Sequence, residues 1–151
     1  MISILTQSFR WLNHLGATES EGYNLVQQRR FLIYMAVLMS GGGILWGSLC
    51  LLFGFNQAAI IPFGYVVLSI LNLAYLDIFK QFHIVRSIQV SLSLLLPVIF
   101  QLLLGGFVHS GAVMLWSMLA LGGSLAFSEI KLSLIWLMLF VMSTLFCGYF
   151  V

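Results

Sequence analysis

Gln89, Ser93, Pro97 and Gln101 recur at every fourth position, with Gly105 next in the series. On a helix such a spacing places all of them on one face, as a single polar stripe. Carboxamides and a hydroxyl in a row can hold a small ligand by hydrogen bonds, and a proline between them can serve as a flexing kink. The same groups can instead fasten neighbouring helices together in a membrane. Both readings require the stripe to face the interior of a bundle or a wet cavity, because an unpaired amide in hydrocarbon is costly.

A second pattern concerns packing. Ser40, Gly43, Gly47 and Gly54 fall on a seam of small residues, with Gly43 and Gly47 forming a GxxxG pair. Small side chains let two membrane helices approach closely. The partner is either the following apolar run of the same chain or another subunit. Asn72 is placed to hydrogen-bond a neighbouring helix, and Asp77 and Lys80, three residues apart, form an ion pair near a membrane boundary.

Chemistry of other kinds finds no support in the residues. His14, His83 and His109 fall on three separate segments, without a Cys or carboxylate beside any of them, so no metal site is expected. No phosphate loop, nucleophile elbow or paired intramembrane carboxylate is present. Intramembrane charges and repeated halves, which mark many transporters, are lacking as well. No catalytic, cofactor-binding or metal-binding residue is therefore assigned within the chain. The net charge of +2 is carried by scattered residues, which argues against a nucleic-acid partner.

What positions the stripe is a set of long apolar runs. Of the 151 residues 62% are hydrophobic and only 7% are charged, against about 25% charged in an ordinary soluble domain. Phe31 to Leu76 contains no charge, and neither does Ser87 to Ser128. Each is long enough for two spans of about 20 residues. The first splits at Gly54-Phe55-Asn56-Gln57, with Pro62 suited to the start of the next helix. The second splits at Gly105-Gly106. Five spans result, at about 31–53, 60–78, 87–104, 108–127 and 132–151. A β-barrel is excluded, since its strands alternate apolar and polar residues while these runs are apolar all round. The expected fold is all-α, a polytopic transmembrane helical bundle in a lipid bilayer. Cys50 and Cys147 sit inside apolar runs as small packing residues.

The cations fix a direction. Arg10, Arg29, Arg30, Lys80, Arg86 and Lys131 occupy the N-terminal tail and then every second connection. Cationic segments stay on the cytoplasmic side, so the tail, the connection at 80–86 and that at 128–131 are expected inside. The connections at 54–58 and 105–110 are then outside. Five spans leave Val151 outside with no anchor after it, so a sixth span is expected beyond it. Residues 1–30 form a separate cytoplasmic segment. Ile2, Leu5, Phe9, Leu12 and Leu15 recur at helical spacing, opposite Thr6, Gln7, Arg10, Asn13 and His14, which describes an amphipathic helix on the membrane surface or on a soluble partner. Thr18-Glu-Ser-Glu21 has capping-box form and introduces a second short helix through Tyr23 and Val26 towards the first span.

The wording of the third and fourth spans resembles a known family. Arg86-Ser-Ile-Gln-Val-Ser-Leu-Ser-Leu-Leu-Leu-Pro97, then Gln101-Leu-Leu-Leu-Gly-Gly-Phe-Val-His-Ser-Gly-Ala-Val-Met-Leu-Trp116 and Leu119-Ala-Leu-Gly-Gly-Ser-Leu-Ala-Phe127, is similar to the N-terminal membrane domain of bacterial class III adenylate/guanylate cyclases. Trp46-Gly, Ile61-Pro-Phe-Gly-Tyr65 and Ser69-x-x-Asn72 resemble the same family. Related regions also precede sensor histidine kinases. The resemblance implies a six-helix anchor in the inner membrane and a homodimer formed through parts C-terminal to this chain. It also implies a catalytic domain that binds divalent metal and makes a cyclic nucleotide. The reading is a membrane anchor and sensory input domain of a signalling enzyme, first of all a nucleotide cyclase. The alternatives are the input domain of a histidine kinase and a free-standing small transporter or channel subunit.

Overall fold

The computed structural model describes residues 16–17, 22–105, 117–118, 121–122 and 130–150. Four long helices occupy the described residues, and no strand is found among them. They are α1 (Tyr23–Leu52), α2 (Asn56–Phe79), α3 (Phe82–Leu103) and α4 (Ile130–Phe150). All four are long and apolar enough to cross a membrane. The expected amphipathic helix over residues 1–15, the capping box at Thr18–Glu21 and nearly all of the expected fourth span lie outside the described residues.

The ends of the helices follow from local chemistry. The first span proves longer than the apolar run, because α1 begins at Tyr23, directly after Gly22. At 30 residues it extends about 45 Å, more than the roughly 30 Å of a bilayer core. Arg29 and Arg30 thus belong to the first turns of a continuous helix. At the other end Gly54 adopts φ +82, a left-handed conformation that glycine reaches without steric cost. The Phe55 N–H donates back to the Cys50 carbonyl at 2.8 Å, closing the turn. Asn56, expected in that turn, opens α2.

Pro62 does not start α2 but lies inside it. Its ring has no N–H, so the Ala58 carbonyl loses its usual donor, and the same holds for the Ser93 carbonyl opposite Pro97 within α3. The connection expected at 80–86 shrinks to Lys80 and Gln81, since α3 already begins at Phe82 and carries His83 and Arg86 on its first turns. Lys80 makes so short a connection by taking φ +54, and its N–H donates to the Leu76 carbonyl at 2.9 Å. That is a left-handed helix cap on a residue other than glycine. A connection this short makes α2 and α3 an antiparallel hairpin.

In the bundle α2 sits between α1 and α3, and α4 packs on the flank of α3. The core is tiered along the helices. Leu32, Ile33, Leu76, Phe82 and Val85 fill the end near the Lys80 turn. Met39 and Tyr65 form the middle tier, with Leu92 and Leu96 against them. Cys50, Ala58, Ala59 and Phe100 close the far end. The small-residue seam accounts for the closeness of α1 and α2. A Cβ at Gly43 would stand 3.0 Å from the Pro62 carbonyl oxygen, and one at Gly47 would stand 2.8 Å from the Phe63 ring. Both glycines therefore pack on the next helix of the same chain. Ser40 is half-buried, and Gly54 is a turn residue with open space around it, so the helical seam ends at Gly47.

Candidate functional site

Three residues of α2 and three of α3 meet in a buried polar network. Tyr65, Ser69 and Asn72 are spaced at i, i+4 and i+7, which brings them onto one face of α2. Val85, Gln89 and Ser93 are each four apart on the facing side of α3. Asn72 and Gln89 lie the same number of residues from the Lys80–Gln81 turn, so the antiparallel hairpin sets them opposite each other. All six residues are buried.

The two amides of the network have a defined hydrogen direction, and one backbone atom sets it. The Val85 carbonyl can only accept, so Asn72 must turn its Nδ2 towards it, at 3.0 Å. The second Nδ2 hydrogen then goes to Gln89 Oε1 at 3.0 Å. That fixes the Gln89 amide in turn. Its Nε2 donates to the Tyr65 hydroxyl and to Ser69 Oγ, both at 2.9 Å. Tyr65, accepting from Gln89, shares a further hydrogen bond with Ser93 Oγ at 3.0 Å in which either hydroxyl can donate. Every amide hydrogen of Asn72 and Gln89 is used. In a low-dielectric interior a network with all its amide hydrogens engaged is strong, whereas a half-made one is costly.

Beyond Ser93 the character of the interface changes. A cavity of about 60 Å³ opens among α1, α2 and α3, with Gly42, Gly43, Pro62, Tyr65, Pro97 and Phe100 in its wall. Its lining is almost wholly apolar, and one of the residues in it, Tyr65, belongs to the network as well. The two intrahelical prolines face it from opposite sides. Backbone thinned by glycine on α1 and interrupted by proline on α2 and α3 is what leaves this space unfilled.

The structure thus divides the expected stripe. Gln89 and Ser93 join the network. Pro97 lines the cavity. Gln101 is fully buried, but neither its Oε1 nor its Nε2 finds a partner among the described residues. Tyr65 and Ser69 were legible only as words of a family resemblance, not as polar partners. Their signal was available in the i, i+4, i+7 spacing with Asn72 and in its mirror placement about the turn. At the Lys80 end, Asp77 Oδ1 accepts from Lys80 Nζ at 3.0 Å across an exposed pair, as the spacing predicts. Among the described residues no cluster of His, Cys, Asp or Glu could hold a metal ion. Compared with known protein families, curated proteins and solved structures, the chain matches none.

Proposed function

We propose that this chain is the membrane anchor and sensory input domain of a signalling enzyme, with an adenylate or guanylate cyclase as the output and a sensor histidine kinase as the second reading. The observation that carries the proposal is the shared position of Tyr65. It is one member of a buried hydrogen-bonded network and one wall of an apolar cavity. An anchor that only held a domain at the membrane could do so with apolar helices alone. Here a shift of Tyr65 at the cavity would break bonds to Gln89 and Ser93 and leave buried groups unpartnered, an abrupt cost of the kind that separates two discrete states. The network then links the cavity to the Lys80 turn through Asn72 and the Val85 carbonyl.

In this reading the protein resides in the inner membrane. The N-terminus and the Lys80–Gln81 turn face the cytoplasm, because the cations gather there. Dimerisation and divalent metal belong to segments C-terminal to Val151. A sixth span returns the chain to the cytoplasm, where the nucleotide is.

The reading frame beyond codon 151 in the native gene tests this. A further apolar run followed by a cyclase domain with paired metal-binding aspartates is the expected result. A kinase core would select the second reading. A stop codon directly after Val151, in a chain that is stable in membranes, would contradict both and leave a free-standing transporter or channel subunit. With the output domain in hand, Gln89→Leu should alter the response at unchanged expression, while a lipid-facing change at Leu103 should not.

A further inference from the structure

Gly16 precedes α1, yet it lies against the far end of α2. Its N–H donates to Asp77 Oδ1 at 3.0 Å, the same oxygen that accepts from Lys80. Gly16 is buried and has φ +71, and a Cβ there would fall 2.7 Å from Leu76 Cγ. Leu76 cannot easily yield, since it is itself fully buried among Leu32, Ile33, Phe82 and Val85. Two independent features therefore locate this one residue: a carboxylate aimed at its peptide N–H and a socket that admits only a glycine.

The geometry points to Asp77 as a latch that fastens the N-terminal segment of this chain to the hairpin of α2 and α3. The carboxylate has two hydrogen-bonding partners, and they are not equivalent. Lys80 is three residues away on an exposed surface, where an ion pair contributes little. Gly16 is 61 residues away and its bond is part-buried. A hydrogen bond to an ionised acceptor is roughly twice as strong as a neutral one. The residues before Gly16 carry the amphipathic pattern of a surface helix, so the latch joins that segment to the turn of the hairpin that holds the polar network. It does so whatever the output of the protein is.

Amide hydrogen exchange at position 16, in the full chain held in lipid nanodiscs, reads the latch directly. Asp77→Leu removes the acceptor and should accelerate exchange there by about tenfold or more, the size expected for a lost hydrogen bond to a charged group. Lys80→Gln should change it by less than about twofold. Gly16→Ala, which keeps Asp77 and the hairpin but blocks the socket, should also expose position 16. Unchanged exchange in Asp77→Leu with helix content retained would overturn the latch. So would acceleration in Lys80→Gln equal to that in Asp77→Leu. Should Asp77→Leu fail to insert, retained protection in Gly16→Ala overturns it.

Discussion

Gln89 and Gln101 are the same residue type on the same helix face, both buried, and their described surroundings predict different results. Gln89 donates twice and accepts once within the network. Gln89→Leu takes one of its two acceptors from Asn72 Nδ2, the Gln89 donor from Ser69 Oγ, and one of its two partners from Tyr65, at a cost of about 1–3 kcal/mol. Gln101 has no partner among the described residues, so Gln101→Leu breaks no bond of the network and should cost less than Gln89→Leu. Unfolding in bicelles distinguishes the two, and equal losses would show that Gln101 is engaged after all. The stripe itself was legible in the sequence, because a four-residue period survives any packing arrangement. Which of its members find partners was not, because that depends on what the facing helix presents at each level. Asn72 was readable as a hydrogen-bonding residue, but its partner Gln89 emerges only once the turn has been placed.

At the scale of elements, the apolar runs set the existence of the helices, and turn chemistry set their ends. The breaks at Gly54 and Gly105 stand where glycine was expected to interrupt the helix, at φ +82 and +85. The expected break at 80–86 was too long. Polar residues there suggested a loop, yet Phe82 and Val85 carry enough apolar surface to begin α3 at once and join the core. Pro62 misled for a related reason, whereas Pro97 lies within its helix as expected. Pro62 reads as a helix start, but the packing of Gly43 against its carbonyl region holds the helix together on both sides of it. The left-handed Lys80 gives a prediction at this scale. Lys80→Gly relieves a conformation that costs a residue with a Cβ about 1–2 kcal/mol, and it forfeits only an exposed ion pair. The hairpin should gain up to about 1 kcal/mol in a stability measurement, whereas Lys80→Val, β-branched at positive φ, should lose stability. A loss on Lys80→Gly would mean that the Asp77 pair contributes more than its exposure suggests.

Among the described residues the molecule is an arrangement of membrane-length helices in which the hairpin of α2 and α3 carries the buried network of Tyr65, Ser69, Asn72, Gln89 and Ser93. In the proposed topology the two ends of this hairpin lie on opposite sides of the bilayer. Asn56 and Gln81, both exposed, mark them. In intact cells Asn56→Cys should react with an impermeant maleimide, while Gln81→Cys should react only after permeabilisation. The reverse pattern would invert the proposed orientation, and reaction of both from outside would break the hairpin as a spanning unit. The central claim is that α2 and α3 act as one unit because Asn72 and Gln89 are coupled in the membrane. A double-mutant cycle of Asn72→Leu and Gln89→Leu, read by reversible unfolding in bicelles, tests it most directly. The account predicts a coupling between the two positions of about 0.6 kcal/mol and at most about 1.7, the average and the maximum found for hydrogen bonds between membrane helices. Strictly additive losses would contradict it.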